Sequence, residues 1–222
     1  MDRSVRNTVV VLLLAVVLVF GLVVGRQVFL GDSQAPLPAP ELSELNTFVY
    51  DQGRPVAAYQ LVNEQGEAVT QEDLKGHWTF AFVGYTFCPD VCPATLSNLR
   101  RANQLIPAEL PRPSYLLISA DPERDTPERL REYLAFFGED FQGITGDLDT
   151  LRNLAKSLNA VFIHRQEGDL KLVDHSAHLA LINPEGELAA VIQPPHKPEA
   201  VAEAFGRIYQ WARQNRERAV SP

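Results

Sequence analysis

Residues 8–25, TVVVLLLAVVLVFGLVVG, form an uncharged run of 18 residues bracketed by Arg6 and Arg26. That is long enough to cross a bilayer as a helix. A secretory signal carries an apolar stretch of roughly 7–15 residues that ends at a small-residue cleavage site, but no Ala-x-Ala follows Arg26. Lipoprotein processing needs a cysteine next to the span, and Cys88 and Cys92 lie far downstream. The run therefore predicts an uncleaved, single-pass anchor. Arg3 and Arg6 precede it, and after Arg26 no base appears until Arg54, so the positive-inside rule puts the N-terminus in the cytoplasm and exports the rest of the chain. No Arg- and Ser-rich presequence precedes the span, which favours a bacterial inner membrane, with the following domain in the periplasm, over a mitochondrial membrane.

Beyond the anchor the composition is that of a packed domain, with 45% apolar and 22% charged residues over the 222-residue chain. The formal charge of −8 argues against nucleic acid as a partner, because phosphate binding needs a basic face. Two cysteines are too few for a disulfide framework or a four-thiolate zinc site. Any metal chemistry must then draw on the five histidines.

Residues 33–40, SQAPLPAP, read as a stiff, extended spacer. Two apolar runs follow, residues 78–85 (WTFAFVGY) and 115–120 (YLLISA), and both predict buried strands of a largely parallel sheet. Leu96, Leu99, Ala102 and Ile106 share one face of a helix between them, and Leu151, Leu154, Ala155 and Leu158 stripe a later one. A further helix starts at Thr126-Pro127, a hydroxyl cap before proline, and stops near Gly138. Residues 175–182 and 187–192 predict a hairpin around Asn183-Pro184-Glu185-Gly186. Val201, Ala204, Phe205, Ile208 and Ala212 stripe a C-terminal helix. The order predicts an α/β thioredoxin-like sandwich, a mixed central sheet flanked by helices, preceded by the single transmembrane helix. There is no internal repeat and no phosphate-binding glycine loop.

The chemistry concentrates in Gly84-Tyr85-Thr86-Phe87-Cys88-Pro89-Asp90-Val91-Cys92-Pro93, which holds both cysteines. Pro93 suits the first position of a helix, which would make Cys92 its cap and favour a thiolate there through the partial positive charge of the helix end. A structural disulfide is the bland alternative. A bridge closing so short a loop restricts the unfolded chain by only about 2 kcal/mol, against about 4.7 for a loop of 100 residues, so a functional dithiol is the better reading.

These segments resemble the Sco/SenC family of membrane-anchored copper chaperones that assemble the copper A centre of cytochrome c oxidase. The resemblance rests on GYTFCPDVCPATL at 84–96, ISADPERDTPERL at 118–130, ITG at 144–146, VDHS at 173–176 and NPEG at 183–186, running in the family's order over residues 45–212. It implies one copper ion held by Cys88, Cys92 and His175, as copper(I) or copper(II). It also implies delivery to the copper-site subunit of the oxidase, with other periplasmic copper chaperones and thiol reductases as further candidate partners. Copper(I) prefers thiolate and imidazole serves both oxidation states, so the chemistry of the set is coherent. Phe87 departs from the polar or histidine residue often found before the first cysteine. The chain then divides into a cytoplasmic N-terminus (1–7), an anchor (8–25), a Pro-rich linker (26–44), a thioredoxin-like copper-binding domain (45–217) and a tail (218–222).

The remaining candidates are weaker. His178 lies three residues from His175 on the expected strand and so faces the other way; His77, His164 and His196 read as surface residues. Asp90, between the cysteines, and Asp174, beside His175, are candidates to orient a ligand or contact a partner. The charged run 121–131 reads as a helix edge. The alternative to delivery is a thiol-disulfide oxidoreductase that reduces the cysteines of the oxidase copper site. Two features lean against it: Cys-x-x-x-Cys replaces the usual Cys-x-x-Cys, and no proline between Pro127 and Pro184 can face the dithiol. A peroxidase reading is weaker again, because Thr86 stands two residues before Cys88 rather than three.

Overall fold

A computed structural model describes residues 3–29, 35–168 and 170–220. Residues 30–34 of the expected linker, 1–2 of the N-terminus and 221–222 of the tail lie outside them.

Helix α1 (Arg3–Phe29) contains the apolar run and extends past it, so residues 26–29 are helical. Its Asn7–Gly25 stretch is long and apolar enough to cross a membrane, and no part of it is buried. The compact body is Ala39–Gln210. Its centre is a parallel trio, β4 (Thr79–Gly84), β5 (Ser114–Ser119) and β6 (Phe141–Thr145). The apolar runs predicted for β4 and β5 are strands buried on both faces, and the helices α2 (Val91–Leu105) and α3 (Pro127–Leu134) make the crossovers. The antiparallel strands β9 (Leu179–Ile182), β10 (Glu187–Ile192) and β1 (Thr47–Pro55) extend the sheet beyond β4; β2 (Gln60–Asn63) and β3 (Ala68–Thr70) extend it beyond β6. The sheet is therefore mixed and eight-stranded, flanked by helices as expected.

Alternation along the central strands builds two cores. Ala81 and Val83 of β4, with Leu116 and Ile118 of β5, pack with Leu151, Leu154, Ala155 and Leu158 from α4 (Leu148–Ser157) and its cap. On the opposite face Phe80 stacks with Tyr115 at 5.9 Å and meets Phe205 of α5 (Pro198–Val220), also at 5.9 Å. The α3 helix rests on β6 at Gly143, where a Cβ would fall 2.8 Å from Leu134. Thr126 caps α3 through Arg129 N–H, with Pro127 opening the helix, as predicted; the helix ends at Leu134 and turns carry the chain to Gly138.

The expected strand 175–182 is two separate elements. β7 (Phe162–Glu167) and β8 (Leu170–His175) form their own antiparallel hairpin, with His175 opposite Phe162. His175 is the last residue of that ladder, and residues 176–178 belong to no strand before β9 begins at Leu179. Near the other end of the described linker, Leu37 N–H donates to Asn215 Oδ1 at 2.7 Å and Trp211 Nε1 donates to the Leu37 carbonyl at 3.1 Å.

Candidate metal centre

The site begins where β4 ends. Gly84 leaves room that a side chain would take: a Cβ there would lie 2.9 Å from Cys92 Sγ and 2.9 Å from the Phe82 ring. This absence of a side chain lets the Cys92 sulfur sit against the sheet, where the residue is 1% exposed. The loop from Tyr85 to Asp90 then turns, with Cys88 N–H on the Tyr85 carbonyl at 3.1 Å, and leaves Cys88 half-buried.

Helix α2 starts at Val91 with Asp90 at its cap position, so Cys92 is the second helical residue and not the cap expected from Pro93. The consequence for the thiols is the reverse of the sequence expectation. The amide at the start of the helix, Cys92 N–H, points at Cys88 Sγ at 3.4 Å. The Cys92 thiol, this amide, the Asp90 amide and His175 all donate toward Cys88, which outweighs burial and pulls its thiol down to about 3. Cys92 is pushed up, because it holds its proton toward Cys88 and is buried. The thiolate of the reduced site is Cys88.

His175 comes from the far side, at the end of β8. Its Nε2 lies 3.6 Å from Cys92 Sγ, and its ring meets Tyr85 edge-on at 6.0 Å. Nδ1 is 3.0 Å from the Ser176 carbonyl, which can only accept, so Nδ1 carries a proton and Nε2 is the nitrogen that faces the sulfurs. Burial lowers the affinity of His175 for a second proton, but its bonds with Cys88 and the Ser176 carbonyl outweigh that and the net direction is up. The three candidate ligand atoms of Cys88, Cys92 and His175 all lie within 4.8 Å of one another, a group that could hold a metal ion.

A model of the family described as SCO1/SenC matches residues 50–210. The chain belongs to this family. A Stutzerimonas stutzeri protein named for copper binding is 38% identical over 170 residues, which cover 75% of this chain and 83% of that one. Protein sco1 of Schizosaccharomyces pombe is 32% identical over 164 residues, 71% of this chain and 62% of that protein. Among solved structures, Arabidopsis thaliana ScoI with copper bound superposes with a TM-score of 0.66 at 30% identity, covering 70% of this chain and 98% of that one. Two thiolates and one imidazole suit a soft, exchangeable ion, and three ligands leave a face open to an incoming ligand.

The other residues singled out from the sequence do not join the group. Asp90 is exposed and makes no capping bond. Asp174 pairs with Arg165 at 2.5 Å and is 56% exposed, so the oxygen that orients His175 belongs to Ser176 and not to Asp174. His178 does not share a strand with His175: it lies between β8 and β9, is buried and donates from Nε2 to the Leu158 carbonyl at 3.0 Å. His196 is not the surface residue that its sequence context predicts. It is buried, 6% exposed, and its Nε2 bonds the Ile192 carbonyl at 3.2 Å. The cis peptide bond at Pro194–Pro195 lies outside the stretch from Pro127 to Pro184.

The charged run at 121–131 is not a plain helix edge. Asp125 is fully buried and takes Thr86 N–H at 3.1 Å, Thr86 Oγ1 at 2.7 Å and Ser119 Oγ at 2.7 Å. Arg129 Nε donates to the same Thr86 hydroxyl at 3.2 Å. Together they pin the residue two before Cys88. Phe87, 49% exposed, has the guanidinium groups of Arg124 and Arg129 over its ring, 4.8 and 5.1 Å from its centroid. The signal in the sequence was the pair Asp121 and Asp125 directly after a buried strand, where solvated acids are out of place.

Proposed function

We propose that this chain is a membrane-anchored, periplasmic copper-binding chaperone that delivers copper to the copper A centre of cytochrome c oxidase. The carrying observation is the convergence of Cys88, Cys92 and His175 within 4.8 Å, with Nε2 of the imidazole turned to the sulfurs. Family membership and the copper-bound relatives support copper as the cargo. The assignment to oxidase assembly follows from the family resemblance. Residues 8–25 act as the anchor in this reading, residues 26–44 as the linker and residues 45–217 as the exported copper domain.

A second reading is favoured by the thiolate at Cys88, which is the attacking species of a thiol-disulfide reductase acting on the oxidase cysteines. His175→Ala in cells separates the two. A chaperone needs the third ligand to hold the ion, so the variant should lose oxidase assembly and be partly rescued by excess copper. A reductase needs both sulfurs but no imidazole, and the same variant would keep near-normal oxidase activity at limiting copper. That second result, at normal protein levels, would replace delivery by reduction.

A further inference from the structure

Arg124 reaches three parts of the site at once. It stands in the turn between β5 and α3, closed by Arg124 N–H and Asp125 N–H on the Asp121 carbonyl at 3.1 and 2.9 Å. Buried Asp125 fastens that turn to Thr86 and Ser119. From this footing the Arg124 guanidinium binds the buried Asp121 carboxylate through Nε, lies 4.8 Å from the Phe87 ring and 6.0 Å from the Tyr85 ring, and donates from Nη2 to the Lys171 carbonyl at 3.1 Å. Tyr85 and Phe87 belong to the dithiol loop. Lys171 lies on β8, the strand that ends in His175.

The hairpin of β7 and β8 shares no ladder with the eight-stranded sheet. At its open end Val161 and Ser176 exchange bonds of 2.9 and 3.0 Å, and Phe162 and Val173 are buried in the core. Farther along, the ion pair of Lys171 with Glu123 is exposed, 56% and 73%, and exposed pairs of this kind hold little. The Arg124 side chain is 28% exposed and its carboxylate partner 3%, so its bonds are charge-assisted and shielded.

We propose that Arg124 is a positioning residue: it ties the strand that carries His175 to the loop that carries the thiols, and so sets where the imidazole stands relative to the sulfurs. The proposal rests on the copper-binding reading for its functional meaning. Copper(I) is held chiefly by the two soft thiolates, whereas copper(II) draws more on the imidazole, so the exact placement of the imidazole matters most for copper(II). A lysine supplies the charge but lacks the planar fork that serves the carboxylate, the ring and the carbonyl together.

The test uses the full reduced chain in detergent, with Arg124→Met and Arg124→Lys. In the metal-free chain, hydrogen exchange at residues 171–175 should quicken in Arg124→Met while amides of β4 and β5 keep their protection. With copper(II) as the probe, affinity should fall at least about tenfold, the scale on which supports of metal ligands act, and the nitrogen coupling of the bound ion should change. Copper(I) affinity should stay near wild type, and Arg124→Lys should restore part of the copper(II) signal. Unchanged exchange at 171–175 in a folded Arg124→Met overturns the proposal, and the same result in Arg124→Lys overturns it if the methionine variant does not fold. A wild-type chain that binds no copper would sink the copper reading, and the exchange measurement would still decide the tie.

Discussion

At the scale of single residues, the two sulfurs of the site differ in kind. Cys88 receives donors from the helix start, from Cys92 and from His175, whereas Cys92 is sealed against Gly84 and keeps its proton. Reduced, metal-free protein should therefore be alkylated by iodoacetamide at Cys88 even at pH 5, where an ordinary thiol is only about 0.03% ionised. Because the thiol of Cys88 titrates near 3, its rate should stay flat from pH 5 to 8 and not climb tenfold per unit. Peptide mapping that finds Cys92 labelled first would reverse the assignment. The two nearby histidines separate just as cleanly: His175→Ala should weaken copper binding by more than about tenfold, since even loss of a group that merely orients a ligand costs that much. His178→Ala should leave the copper spectrum unchanged and cost stability instead, because its imidazole serves the Leu158 carbonyl in the core.

At the scale of elements, the site is a meeting of β4 with its following loop, the first turn of α2 and the end of β8. Gly84 is the tightest of these junctions. Gly84→Ala should destabilise the fold by about 1–3 kcal/mol through overpacking and displace Cys92, so that denaturant midpoint and copper affinity fall together. A loss of stability with unchanged copper affinity would show that the sheet, and not the sulfur, yields. The core elements were legible because β4, β5, α2, α4 and α5 carry unbroken apolar runs or clean helical stripes. The pairing of Cys88 and Cys92 was legible from spacing alone, and His175 from the family motif. The hairpin of β7 and β8 was not: FIHRQE and LKLVDH are polar strands whose pairing is fixed by the fold around them, and without it His175 and His178 looked like residues of one strand. The helix start was misjudged for a related reason. Proline is tolerated anywhere in the first turn, so Pro93 marks that turn and not its first residue.

At the scale of the whole molecule, a chain with an acidic balance places its copper-site candidates on one compact body, and α1 is long and apolar enough to cross a membrane. The proposed function stands or falls on one copper held by two sulfurs and one imidazole. X-ray absorption on the copper-loaded full chain, reduced and then oxidised to the Cys88–Cys92 disulfide, tests it most directly, because thiolates bind metal only when reduced and deprotonated. The reduced chain should carry one copper with two sulfur neighbours and one imidazole nitrogen, the nitrogen absent in His175→Ala, and the oxidised but still folded protein should carry none. Stoichiometric copper retained by the oxidised chain, or a copper with no sulfur neighbours in the reduced one, would contradict it.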